Sequence, residues 1–301
     1  MKAGQMPGAE AREAKAWLGA NRWLLARRVT QIGILLLFLV GPWFGWWIVK
    51  GNLSSSMTLD VLPLTDPLLL LQVLLSGHVP ELVAFTGVAI VLAFYLLVGG
   101  RVYCSWVCPV NMVTDLAEWL RMRFNIKGGG HLSRRLRYWL LGLVLLLPLL
   151  TGALAWELIN PVSLAHRGIL FGMGLGWMVI LGIFLLDLLI ARRAWCGHLC
   201  PVGAFYGLIG RFSVLRVSAD NRSACDDCMD CFAVCPEQQV IKPALKGAPK
   251  GLGPLIDDGL CTNCGRCIDV CAQDVFHFTH RFDNPVPAAV AGPTHRSEAS
   301  P

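Results

Sequence analysis

The sequence predicts an α-helical integral membrane protein, four transmembrane helices arranged as two repeated hairpins, with a small cysteine-rich α+β domain towards its C-terminus. Three observations lead there. Hydrophobic residues make up 55% of the 301 positions and charged residues only 15%, with a mean hydropathy of +0.56. Four stretches, 29–49, 82–100, 138–156 and 168–186, hold no Asp, Glu, Lys or Arg, and each approaches the 20 or so apolar residues that a bilayer-crossing helix needs. Finally, the twelve cysteines fall into two patterns, one closing the second and fourth stretches and one confined to residues 225–271.

Taken in order, residues 1–28 are polar and basic and read as a cytoplasmic N-terminal segment. The first apolar run is full length, so no cleavable signal peptide is visible. Six Lys and Arg lie in this segment and seven in the loop from 99 to 138, and Arg192 and Arg193 follow the fourth stretch. Loop 50–81 has only Lys50, and loop 157–167 only Arg167. The positive-inside bias then places both termini in the cytoplasm. Trp43, Trp46, Trp47 and Trp156 stand where outer interfacial aromatics belong. The apolar patch from Pro67 to Pro80 is too short to span; it reads as a re-entrant or interfacial segment, with a buried extramembrane helix as the alternative. Asp187, costly in lipid, either pairs with Arg192 or Arg193 or sits at the interface. The membrane domain thus covers 29–215, the cysteine-rich domain 216–283, and a flexible tail 284–301. The net charge of +6 reflects anchoring loops, and no basic stripe accompanies a recognition motif, so no nucleic-acid partner is expected.

The C-terminal cysteines read Cys225-x2-Cys228-x2-Cys231-x3-Cys235-Pro236 and Cys261-x2-Cys264-x2-Cys267-x3-Cys271. This is the ligand run of a bacterial two-cluster ferredoxin, in which the fourth Cys of each run serves the other cluster. One [4Fe–4S] cluster is therefore expected on Cys225, Cys228, Cys231 and Cys271, and a second on Cys261, Cys264, Cys267 and Cys235. Structural zinc or a disulfide framework is the competing reading; zinc ribbons use paired Cys-x2-Cys elements rather than this run.

The other four cysteines carry an internal repeat. Arg101, Cys104, Cys108, Pro109 and Val110 recur 92 residues later as Arg193, Cys196, Cys200, Pro201 and Val202. A helical pattern follows each copy, Met112 to Phe124 and Ala204 to Phe212. If the hairpins meet face to face, four thiols gather at one end of the bundle. Three readings remain for Cys104, Cys108, Cys196 and Cys200: a further iron–sulfur centre, a thiol–disulfide pair, or small buried packing residues.

No His lies inside any uncharged stretch, and Cys-x-x-Cys-His is absent, so axial haem ligation within the spans and covalent haem attachment are excluded. His78 and His166, with Glu81 and Glu157, fall at the predicted outer ends. They are candidate proton acceptors for a quinol, with ordinary solvated loop residues as the alternative. Charged midplane residues and broken helices, which transporters use, are not evident.

The assembled motifs resemble the NapH/MauN family of ferredoxin-type quinol dehydrogenase components. The likeness runs from about Trp17 to Phe282 and includes Gly41–Gly45, Ser54–Ser56, Pro63–Pro67, Cys104–Pro109, Trp156–Leu164 and Trp195–Pro201. The resemblance implies a multi-pass protein of the bacterial inner membrane that takes electrons from the membrane quinol pool. They would pass through the clusters to a NapG-like periplasmic iron–sulfur protein and a NapC-type cytochrome or the nitrate reductase complex. A MauN-like role in methylamine utilisation, or a redox assembly factor for a partner metalloenzyme, are the alternatives. Cytoplasmic clusters feeding a periplasmic acceptor require an electron route back through the membrane domain, for which the four repeat cysteines are candidates.

Overall fold

A computed structural model describes residues 6–126, 129–130, 132–172, 174 and 176–283. The expected tail, 284–301, lies outside the described residues.

The chain starts with helix α1 (Ala9–Gly19) and the long apolar helix α2 (Arg22–Phe44). Helix α2 begins seven residues before the first uncharged stretch because its free amides are capped from a distance: Asp269 accepts from Trp23 N and Leu24 N at 3.0 Å each. Unpaired first-turn N–H groups need such an acceptor, and a carboxylate also suits the helix dipole. Among the described residues α2 alone is long and apolar enough to cross a bilayer by itself. The other three stretches fold as shorter apolar helices with shifted ends: α4 (Leu82–Val98), α6 (Leu136–Thr151) and α9 (Gly176–Leu185), the last continuing as a π-turn to Ile190. The fourth stretch is broken: 168–171 belongs to α8 (Pro161–Phe171), which ends at Gly172 in a φ of 90°. Broken helices, absent from the sequence reading, are thus present.

Loop 45–66, which carried no strand expectation, forms an antiparallel sheet of β1 (Val49–Gly51), β2 (Ser55–Thr58) and β3 (Leu62–Thr65), with Ser56 opposite Leu64. Strand β3 lies so close against α4 that a side chain on Gly87 would collide with Thr65 and Pro63. The apolar patch that follows is helix α3 (Pro67–Leu75), with Leu68 1% exposed. Its N-cap Asp66 accepts from Leu68 N at 2.8 Å and from Tyr206 Oη at 3.2 Å. Asp66 is half-buried, and α3 packs into the helical core through Leu68, Leu70 and Gln72. The second half repeats the device: Asn160 caps α8 by accepting from Val162 N at 3.1 Å, again with Pro at the first helical position. Proline suits that position because it has no N–H to leave unpaired.

Each half ends in a π-turn, Tyr103–Val107 and Trp195–Leu199, then a Pro-started helix, α5 (Val110–Arg123) and α10 (Pro201–Gly210). The halves interlock: α5 packs on α9, and α10 on α4 and α6. The core between them contains Leu68, Tyr95, Tyr103, Trp156, Val202 and Tyr206. A side chain on Gly100 would collide with Tyr206 O and Gly210 N, so the chain crosses α10 there only as glycine.

Beyond α10, strands β4 (Leu215–Ser218) and β5 (His277–His280) pair antiparallel, Leu215 opposite His280. Short helices α11 (Asp230–Val234), α12 (Ile241–Lys246) and α13 (Arg266–Val270) close a separate core of Val217, Ile241, Ala244, Ile256, Val275 and Phe276. The N-terminal segment docks here instead of standing free: Gly8 N donates to Asp230 Oδ2 at 2.7 Å, and Lys15 pairs with Asp274. The N-terminus and the cysteine-rich domain therefore share one face of the molecule.

Candidate functional site

The eight C-terminal cysteines sit on two loops of matching backbone. Asp227 (φ 61°) and Met229 (φ 66°) flank Cys228, as Asn263 (φ 45°) and Gly265 (φ 70°) flank Cys264. Left-handed residues on both sides of the middle Cys curl each loop so that its thiols face one point. Asp, Asn and Gly tolerate that conformation; Met does so at a cost.

The loops then exchange their fourth members. One enclosed cavity is lined by Cys225, Cys228, Cys231 and Cys271, and another by Cys235, Cys261, Cys264 and Cys267. These are the two crossed sets that the spacing predicts. Burial pushes the Cys231 thiol up to about 12, and Cys228 and Cys261 up to about 11. The thiols are therefore neutral until a cation displaces their protons, as metal ligation does.

The four repeat cysteines also converge. Cys104, Cys108, Cys196 and Cys200 line a third enclosed cavity, and all three measure about 20 Å³. In each copy the first Cys lies inside the π-turn and the second ends it: Cys108 N bonds Tyr103 O and Cys200 N bonds Trp195 O, both at 2.9 Å. This i→i+5 bond is a widened turn of the kind that recurs at functional sites. The Cys196 thiol donates to Thr114 Oγ1 at 3.7 Å.

The surroundings of this third cavity are electropositive. Its wall includes Asn160, Pro161 and Val162 at the start of α8, Val202 and Gly203 at the start of α10, and the Arg101 side chain. Helix N-termini and a guanidinium favour an anion, and an iron–sulfur cluster with four thiolates is one. Four soft donors, equal size and a positive wall fit such a group.

The domains meet at these cysteines. Ser105 Oγ donates to Thr262 O at 2.7 Å, and Trp106 Nε1 to Asn263 O at 3.1 Å. The first π-turn and the second ferredoxin-type loop are thus bonded residue to residue. Arg101 Nη2 donates to Cys196 O and Nη1 to Leu260 O, each at 3.2 Å, so one guanidinium touches both cysteine sites. Arg101 and Arg193, three residues before each first Cys, are 2% and 8% exposed. Both are ion-paired where they are buried: Arg193 with Asp115 at 2.7 Å and Arg101 with Glu237. Their matched place in both repeats is the signal that reveals the role. Glu237, Asp115, Glu118 and Asn160 carried no comparable signal, because their partners lie far away in the chain.

Other expected residues fall elsewhere. Asp187 is 1% exposed, pairs with neither arginine, and instead accepts from Trp195 N at 2.9 Å. Arg192 goes to Glu118 at 2.5 Å. His78 is exposed, beside Ser76 Oγ at 3.1 Å. His166 is no solvated loop residue: it sits in α8, 2% exposed, edge-on to Phe38 with ring centroids 4.8 Å apart. Trp156, in the short helix α7 (Ala155–Ile159), lines the third cavity rather than an outer interface.

Comparison with known proteins bears on the same residues. A 4Fe-4S binding domain matches residues 81–127 and again 173–219, one match over each repeat, and a 4Fe-4S dicluster domain matches 224–275. The chain is 49% identical to the ferredoxin-type protein NapH of Escherichia coli (strain K12), over 92% of this chain and 96% of that one. It is 53% identical to the methylamine utilization ferredoxin-type protein MauN of Methylorubrum extorquens, over 91% and 94%. The chain belongs to the NapH/MauN family of ferredoxin-type proteins. A MauN from Paracoccus denitrificans is 55% identical over 82% of this chain and 86% of that one. No solved structure matches. As a family member with 4Fe-4S domains, the chain is a ferredoxin-type electron-transfer protein.

Proposed function

We propose that this NapH/MauN-family protein oxidises quinol at the membrane and passes the electrons through three iron–sulfur centres towards a periplasmic reductase system. The observation that carries the reading is the direct bonding of Ser105 and Trp106 to Thr262 and Asn263, which seats one cysteine cavity on the next. When bound, [4Fe–4S] clusters supply one-electron storage. Cys225, Cys228, Cys231 and Cys271 would hold the first, Cys235, Cys261, Cys264 and Cys267 the second, and Cys104, Cys108, Cys196 and Cys200 the third. The protein's own part is to bury the thiols, fix their direction through left-handed residues and π-turns, and surround the third set with positive dipoles.

Four spans are part of the proposal. Helices α2, α4, α6 and α9 expose Leu36, Phe94, Trp139, Leu143 and Trp177, an apolar surface that a bilayer covers without cost. The shared face of the N-terminal segment and the ferredoxin-type domain fits an even number of crossings. The positive loops put that face in the cytoplasm of a bacterial inner membrane. A NapG-like periplasmic iron–sulfur protein and a NapC-type cytochrome or nitrate reductase would receive the electrons. A second reading, a MauN-like role in methylamine utilisation, is favoured by the 53% and 55% identities to MauN proteins.

Anaerobic EPR of the membrane-embedded protein during a quinol titration tests the reading. Signals from the clusters should rise as quinol is added. Clusters that respond to dithionite but never to quinol would remove quinol from the function. Electron delivery to purified nitrate-reductase or methylamine-pathway acceptors separates the two downstream readings.

A further inference from the structure

We propose that the cavity between the membrane helices and the ferredoxin-type domain is the binding site of the quinol headgroup, a lipid-soluble ring with two hydroxyls. The inference rests on the quinol-oxidising reading above and gives it a location. The cavity holds about 430 Å³, within the range of small-molecule sites. Its two walls differ in chemistry. One is apolar, built by Leu24 and Leu25 of α2 and Met112, Leu116 and Trp119 of α5. The other is polar and includes Asp115, Glu118 and Arg193.

The polar wall specifies what kind of ligand is missing. The arginines around it are already engaged: Arg27, Arg28 and Arg193 with Asp115, Arg192 with Glu118, and Arg101 with Glu237. Glu118 is 4% exposed and uses Oε1 on Arg192 at 2.5 Å, while its Oε2 is buried with no hydrogen-bond donor among the described residues. A buried acceptor without a donor is costly, and the Nε donors of Arg193 and Arg101 in the same lining also have no acceptor among those residues, so the wall suits a hydroxyl, which donates and accepts. A phosphate would place like charge against that oxygen. A quinol hydroxyl satisfies it, and its ring and isoprenoid stem suit the apolar wall.

Position supports the same ligand. Cys104 and Cys196 of the third cysteine cavity and Cys264 of the second cluster's cavity all line this space. Leu116 and Trp119, 51% and 47% exposed, flank it on the helix that leaves the inner end of the first half. An indole there suits the membrane interface and marks an approach from the lipid. The site lies apart from His78, and His166 is packed against Phe38 of α2.

The test is photolabelling of the full-length, cluster-loaded protein in lipid nanodiscs with an azido-quinone, followed by peptide mapping. Saturable label should appear in the α5 peptide from Met112 to Met122 and in the segment Leu24–Arg28, and excess quinol should displace it. Met112→Trp, which fills the cavity, should lower labelling at least tenfold with cluster absorbance unchanged, and Glu118→Gln should lower it several-fold. Label confined to peptides holding His78 or His166 would overturn this location while leaving quinol binding in place. No saturable label anywhere would overturn both. Label displaced by phospholipid and not by quinol would make the cavity a lipid site and overturn the proposal, as would full labelling of Met112→Trp.

Discussion

Arg101 Nη1 and Glu237 Oε1 stand 2.5 Å apart with both side chains 2% exposed, joining the first repeat cysteine motif to the residue that follows Cys235-Pro236. Arg137 adds a second buried bond to Oε1 at 2.7 Å, and Arg134 one to Oε2 at 2.7 Å. One carboxylate therefore gathers three guanidiniums from the membrane domain and holds the ferredoxin-type domain against it.

Removing that carboxylate should be costly. Glu237→Ala leaves two buried arginines uncompensated, and breaking a buried pair in this way costs about 3–5 kcal/mol. The variant should unfold at a distinctly lower temperature in detergent, followed by loss of cluster absorbance. A melting temperature equal to wild type would show that the domains are held by other contacts.

The same group gives the interface an acid limit. Burial pushes the Glu237 carboxyl up, but Arg101 and Arg137 outweigh it and hold the carboxyl at about 2, below its ordinary 4.5. Its stabilising contribution is complete above 4.5 and is lost as pH falls from there towards 2. Acid titration of domain docking, read by limited proteolysis between Ser213 and Leu215, should show this limb. Glu237→Gln should flatten it.

Metal content distinguishes the roles of the cysteines. Anaerobically purified protein should carry about twelve iron and twelve sulfide, as three cubanes require. Cys104→Ser with Cys196→Ser should lower both to about eight and leave the two remaining EPR signals intact. Cys235→Ser should damage the centre shared with Cys261, Cys264 and Cys267 despite lying in the other run. Eight iron in wild type, unchanged in the double variant, would leave the repeat cysteines with packing alone.

Topology is open to direct measurement. Reporters fused after residues 28, 130 and 220 should be active as cytoplasmic reporters, and those after residues 55 and 152 as periplasmic ones. A periplasmic signal after 220 would invert the placement of every centre.

Met229 offers a local test of loop strain. Its φ of 66° matches that of Gly265 in the other loop, and an L residue in this region costs roughly 1–2 kcal/mol. Met229→Gly should raise the thermal stability of the ferredoxin-type domain by relieving that strain. A fall would mean that the half-exposed Met side chain contributes more than the backbone loses.

The sequence by itself determined the parts whose chemistry is local in the chain. Ligand spacing at 225–235 and 261–271 specified two crossed cysteine sets because short loops leave few ways to turn three thiols inward. Uncharged runs located the apolar helices within several residues, since transfer from water scales with apolar surface. The recurrence of Arg, Cys, Cys, Pro and Val exposed the repeat. Tertiary structure alone decided what depends on distant partners. It broke the fourth stretch at Gly172, where φ is 90°, and folded loop 45–66 into a sheet. It buried Arg101 and Arg193, because Glu237 and Asp115 supply the opposite charge that makes burial tolerable. It also brought Cys104 and Cys108 to Cys196 and Cys200, which follow them by 92 residues. Spacing shows that two motifs match; only packing places both copies around one cavity.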